Sequence, residues 1–121
     1  MAIVDPRNVQ GLVFRSYARP RSRILLFMLS AAGAGRALLA SLLPIIAHAA
    51  DDPASAPDPL LNISLTWTGL RALEVTEDAD FASEFKTGPE PEPLGDFDKS
   101  APSRWWNRRF QTEDVHVVVH L

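Results

Sequence analysis

The stretch that decides the fold is residues 19–50, RPRSRILLFMLSAAGAGRALLASLLPIIAHAA. Arg19, Arg21 and Arg23 precede an apolar run from Ile24, and Ala47-His48-Ala49 before Ala50 has the small-x-small form of a secretory cleavage site. Taken as one helix, the run is also long enough to span a bilayer. Three features stand against both readings. Arg36 sits mid-run, where a charge costs about 2.5–3.5 kcal/mol on insertion scales. Gly33 and Gly35 interrupt the helix at the same place, and 23 residues precede the apolar part, a long leader. The favoured reading divides the run. Arg23–Leu29 (RILLFML) has the length and apolar content of a strand buried on both faces. Residues 35–49 then form a helix with Leu38, Leu42, Ile45 and Ile46 on one face. That helix kinks or ends near Leu43, because Pro44 in a helix interior costs roughly 3 kcal/mol. The expected location is cytoplasmic with no membrane contact. Secretion with cleavage near Ala49 stands as the alternative.

Downstream, DDPASAPDP (residues 51–59) is a surface connection, with Asp51 or Asp52 placed to end the preceding element. LLNISLTW (60–67) alternates, with Leu61, Ile63, Leu65 and Trp67 on one face and Asn62, Ser64 and Thr66 on the other, as in a half-buried strand. The sequon Asn62-Ile63-Ser64 lies in that strand and carries little weight. Thr68 is a candidate N-cap for a short helix over 69–74, and Thr76 for a second over 76–86 with Phe81 and Phe85 as i,i+4 core contacts. The acids Glu77, Asp78, Asp80 and Glu84 are read as a helix N-terminus and a solvated face rather than a carboxylate site. Prolines 89, 91, 93 and 102 with Gly88 and Gly95 make 87–103 a loop. Trp105 and Trp106 beside Arg108 and Arg109 could stack a flat ligand, but one ring on the core and one at its rim is the simpler reading. VHVVVHL (115–121) is the strongest strand, placing Val115, Val117, Val119 and Leu121 on one apolar face.

A chain of 121 residues, 46% apolar and 22% charged, supports one domain with a modest core. The absence of cysteine excludes disulfides, thiolate metal sites and thiol nucleophiles. Charge is uneven. Residues 1–50 carry six arginines against Asp5 alone, and residues 51–121 carry six basic against fourteen acidic side chains. The favoured reading is an arm (1–22) whose arginines pair with the acidic remainder. A pI near 5.5 argues against nucleic-acid binding. His116 and His120 would share a metal on a helix, but in a strand they lie about 13 Å apart, too far for one ion. They occupy the second face of the last strand, expected to meet a polar cavity or a partner. No serine elbow, GxGxxG or P-loop occurs, and no residue is assigned a catalytic, cofactor-binding or metal role.

The order strand, helix, strand, helices, loop, strand begins a ferredoxin-like βαββαβ arrangement. The expected fold class is therefore α+β: an incomplete ferredoxin-like half over residues 23–121, with helices on one face of an antiparallel sheet and an extended arm before it. Asn8-Val9-Gln10-Gly11-Leu12-Val13 with Arg15-Ser16-Tyr17 resembles the opening of dye-decolorizing (DyP-type) haem peroxidases. The segment from Ala32 to Leu43, with Gly35-Arg36-Ala37-Leu38-Leu39, resembles that family's first helix. Leu61-Asn62-Ile63-Ser64-Leu65-Thr66 with Gly69-Leu70-Arg71-Ala72-Leu73 is similar to its "LN-x-x-LT-x-x-GLRAL" segment. Phe81, Glu84-Phe85, Leu94-Gly95-Asp96, Pro102, Trp105 and Val115-His116-Val117 continue in order, whereas the Pro-Glu-Pro-Glu-Pro run and 106–110 depart from the pattern. The resemblance implies haem b, hydrogen peroxide reduction and oxidation of dyes or phenols. It also implies that the iron-ligating histidine and the distal Asp and Arg lie downstream, so this chain has no haem ligand and is inactive alone. The implied partner is a haem-bearing second half. A reading of another class is a non-catalytic interaction module, pairing with a partner or with itself through the edge of its terminal strand.

Overall fold

Three short strands form one antiparallel sheet: β1 (Ile24–Phe27), β2 (Asn62–Leu65) and β3 (Val117–His120). Among the described residues three helices accompany them: α1 (Ala32–Leu42), α2 (Trp67–Ala72) and α3 (Ser83–Thr87). In this computed structural model the described residues are 3–77, 80–89, 94–101, 104 and 111–121. Trp105, Trp106, Arg108, Arg109, Asp78, Pro91, Pro93 and Pro102 lie outside them. The strand order is β1-β3-β2, with β3 antiparallel to both neighbours. Thus β1 and β2 run parallel to each other on either side of the valine-rich last strand.

The register explains which face is buried. Leu25, Val119 and Ile63 align across the sheet, as do Phe27, Val117 and Leu65. These rows point toward the core, where Val117 is fully buried and Val119, Ile46 and Leu61 join it. Leu39 and Leu42 of α1 pack against this cluster. The period-two placement of Val115, Val117 and Val119 on one buried face is as expected. The alternate rows, Ile24–His120–Asn62 and Leu26–Val118–Ser64, form the second face. There Ile24 is 62% and Leu26 42% exposed. A strand buried on both faces was expected for β1, but its continuous apolar run is buried on one face only.

Two further expectations change. The terminal strand is central, bonded on both sides, so pairing through its edge is not available; among the described residues the free edge belongs to β1. The first helix starts at Ala32 and contains Gly33 and Gly35 instead of being broken by them. Gly35 serves close packing: a Cβ there would come within 2.7 Å of Leu29 and 2.8 Å of Leu73 side-chain atoms. Arg36, the charge in the apolar run, reaches from α1 to the end of α2, donating to the Leu73 carbonyl at 2.7 Å and pairing with Glu74 at 3.4 Å. It satisfies a carbonyl at a helix C-terminus, where a cation is favoured.

After Leu42 the chain tightens into a 3₁₀ turn, Leu43–Ile45, around Pro44. Ile46 is core in an extended segment that bridges in parallel to Leu61, and Ile45 points outward. Asp51 accepts from the His48 N–H at 2.7 Å in a local turn, but the helix it was expected to end has already stopped at Leu42. No helix is long and apolar enough to cross a membrane among the described residues.

Residues 9–11 of the arm are stitched to this segment. Ala49 N–H donates to Val9 at 2.8 Å, Gly11 N–H donates to Ala47 at 2.9 Å, and Gln10 bridges to His48. The Gln10 side chain goes further. Its amide donates to the Ile63 carbonyl and accepts from the Ile63 N–H, each at 2.7 Å. One side chain thereby occupies a hydrogen-bonding position on the outer edge of β2, as a neighbouring strand would.

Candidate functional site

The Thr66 side chain, not Thr68, caps α2: its Oγ1 accepts from the Gly69 N–H at 3.0 Å and donates to the Val115 carbonyl at 2.5 Å. The helix therefore begins at Trp67, which leaves the strand face to which alternation had assigned it. Trp67 is the centre of an aromatic group. Phe81 and Phe85 stack on each other at 5.2 Å and meet the indole edge-on at 5.9 and 6.3 Å. Arg71 and Lys86 lie over the indole at 5.4 and 5.6 Å, within cation–π range. Phe81 is 41% exposed, so the pair is a rim rather than the core contact expected. A cavity of about 430 Å³ runs from this cluster to Thr112, Glu113 and Val115. Glu84, at its wall, is held below the usual carboxyl range by its own backbone N–H and then by the Ser83 hydroxyl. A depressed carboxyl adds stability at neutral pH that is lost as pH falls, but on an exposed group the effect is small.

The histidines separate in role. Nδ1 of His116 accepts the Leu29 N–H at 2.9 Å, tying the end of β1 to the entry of β3. A neutral ring bonded this way carries its proton on Nε2. His120 lines a different cavity, of about 250 Å³, between the arm and the second face of the sheet. Among the described residues no group of three or more His, Cys, Asp or Glu is arranged to hold a metal ion.

Tyr17, Arg19, Arg21, Asp58 and Asn62 line that second cavity with His120. The arm's arginines do not pair with the acidic remainder as expected. Arg15 donates to the Ala49 carbonyl at 2.7 Å and to Asp51 O at 3.3 Å, and Arg19 donates to the Pro57 carbonyl at 3.3 Å. Arg7 pairs locally with Asp5 at 2.8 Å. Arg21 makes no ion pair among the described residues. Asn62, assigned by alternation to a solvent face, is 5% exposed and its Oδ1 has no hydrogen-bond partner among the described residues. The available signal for this site was the clustering of Tyr17, Arg19 and Arg21. Nothing local in the sequence shows that the arm would fold over Asn62.

Compared with models of known protein families and with curated proteins, the chain matches none.

Proposed function

We propose that this chain is the amino-terminal part of a DyP-like haem peroxidase, folded as the first portion of a ferredoxin-like βαββαβ unit and inactive without a haem-bearing second half. The observation that supports the reading is the strand order. A split βαβ unit places its first two strands parallel with the third between them, which is the relation of β1, β2 and β3 here. The fourth strand of such a unit would add outside β1, the edge that is free among the described residues. The ordered series of residues that resembles the family is the second support.

Haem, when bound, supplies peroxide reduction at iron, with a histidine ligand and a distal acid and arginine. Two of the three histidines, His116 and His120, are poorly placed for the ligand role. Nδ1 of His116 is occupied by the Leu29 N–H at 2.9 Å. His120 faces a cavity of about 250 Å³, below the range of pockets that enclose drug-sized ligands. On this reading the iron ligand and distal groups belong to other polypeptide. Purified chain mixed with haemin is expected to give neither a ligated Soret band nor peroxide-dependent dye bleaching. Both should appear on adding the product of a downstream reading frame that encodes Gly-x-x-Asp-Gly, the segment in which the resembled family carries its distal Asp. Bleaching by this chain alone, or a downstream frame lacking that segment, would count against the reading.

A second reading, a module that pairs through an edge strand, is favoured by β1 itself. Arg23 and Leu121 exchange backbone hydrogen bonds at 2.8 and 2.9 Å. By antiparallel alternation Ile24 and Leu26 then turn their backbone groups away from β3. Ile24, Leu26 and Met28 are exposed along this strand, an arrangement prone to add a strand. On this reading the chain self-associates in size-exclusion chromatography and Leu26→Lys returns it to a monomer, with thermal stability changed by less than about 1 kcal/mol. A wild-type chain that stays monomeric across a concentration series would remove it.

A further inference from the structure

We infer that the chain closes into a two-fold dimer in which β1 pairs antiparallel with β1 of a second copy, Leu26 opposite Leu26 and Ile24 opposite Met28. The inference rests on the edge-strand reading and adds to it the partner, the register and the stoichiometry. The carrying observation is that the two edges of the sheet are unlike. On β2 the Thr66 N–H donates to the His116 carbonyl of the central segment. By antiparallel alternation Leu61, Ile63 and Leu65 then turn their backbone groups outward. Ile63 has its N–H and C=O taken by the Gln10 side chain, each at 2.7 Å, and Leu61 bridges to Ile46. A strand arriving at this edge meets donors and acceptors already in use. On β1 the outward groups are those of Ile24 and Leu26, and nothing among the described residues pairs with them. A sheet with one open edge can join one other such edge and no more, so growth stops at two copies instead of running on as a fibre.

A second copy suits this edge because the strand is complementary to itself. Outward-turned residues must meet outward-turned residues for the ladder to form, which excludes registers that set Ile24 opposite Leu25 or Phe27. Centred on Leu25, the pairing would put Met28 opposite Ser22 and Arg23 opposite Phe27. Centred on Leu26, it matches apolar with apolar at every position from 24 to 28, and the two Arg23 residues lie about 20 Å apart along the strands. Ile24, Leu26 and Met28 are 62%, 42% and 59% exposed, whereas the alternate residues Leu25, Phe27 and Leu29 pack on the core. Pairing sets the exposed rows of the two copies side by side in one sheet of order β2-β3-β1-β1-β3-β2, where cross-strand apolar contacts replace water. The fourth strand of a ferredoxin-like unit would take the same edge, so the dimer and the completed unit exclude each other.

The chain has no cysteine, so one introduced thiol reports its own position. Sedimentation equilibrium of the wild-type chain over a concentration series is expected to fit a monomer–dimer equilibrium with no larger species. Opposite residues in a hydrogen-bonded antiparallel pair have Cα atoms about 5.5 Å apart, within the roughly 4.4–6.8 Å that a disulfide spans. Under air oxidation Leu26→Cys should therefore form a disulfide dimer at least roughly tenfold faster than Ile24→Cys alone, whose two positions lie about 13 Å apart along the strands. An equimolar mixture of Ile24→Cys and Met28→Cys should cross-link to the mixed dimer in preference to either homodimer. A wild-type chain that stays monomeric removes the edge-strand reading and this dimer with it. Association without that order of cross-linking, or growth beyond two copies, leaves the edge-strand reading standing and overturns the dimer.

Discussion

Gly69→Ala is expected to lower stability by about 2–4 kcal/mol, although alanine is the better helix former by roughly 1 kcal/mol. Gly69 lies in α2 directly over the backbone of His116. A Cβ at this position would overlap the His116 carbonyl oxygen and come within 2.8 Å of its carbon. The obstacle is main chain, so no rotamer change relieves it. The same carbonyl accepts the Thr66 N–H at 3.2 Å, and Thr66 in turn caps α2 through Gly69 at 3.0 Å. Moving the helix away therefore breaks the cap and loosens the entry to β3, the strand that joins both others. At about 4–8 °C per kcal/mol for a small domain, the melting temperature should fall by roughly 8–32 °C. A thermal melt followed by circular dichroism reads this directly. A Gly69→Ala chain as stable as wild type would show that α2 does not dock where described.

Gln10→Leu should be the next most damaging substitution, costing about 2–4 kcal/mol at nearly constant side-chain volume. It strips both 2.7 Å hydrogen bonds from Ile63 and leaves a part-buried N–H and C=O unmade on the edge of β2. Amide exchange at Ile63 should accelerate along with the loss of stability. Gln10→Glu gives the sign of the electrostatics. One carboxylate oxygen still accepts the Ile63 N–H, but the other then faces the Ile63 carbonyl. Folding therefore favours the protonated acid, and its folded pKa rises above the unfolded value of about 4.3. The variant should be destabilised at neutral pH and recover as pH falls through the folded pKa toward about 4.3, the protonated acid restoring the missing donor. A Gln10→Leu chain that melts like wild type would mean that the arm is no part of the sheet.

Both substitutions test contacts between segments far apart in the chain, which is where local sequence patterns stop being informative. LLNISLTW and VHVVVHL were legible as strands because period-two alternation and valine content are properties of a few consecutive residues. Their apolar faces, Ile63 with Leu65 and Val117 with Val119, point to the core as that period requires. The first helix was legible from its leucines, but its start was not. Gly35 looks like a breaker until Leu29 and Leu73 are seen against it. Likewise Arg36 reads as a charge stranded among apolar residues, and only the end of α2 gives it a partner.

The candidate site divides in the same way. The basic, tyrosine-containing arm is visible as a cluster, whereas alternation assigns Asn62 to solvent because it reports the sides of a strand and not what covers each side. Which strand is the edge is equally hidden: a terminal strand reads as peripheral, yet β3 lies between β1 and β2. By itself, then, the amino-acid sequence determined the α+β class, the strand faces and the absence of thiol chemistry, all set by local stereochemistry and composition. The tertiary structure alone decided the strand order, the role of Gln10 as a stand-in strand and the burial of Asn62. Those depend on hydrogen bonds and solvent exclusion between residues far apart in sequence, such as Gln10 and Ile63 at a separation of 53, and no short-range pattern records such a pairing.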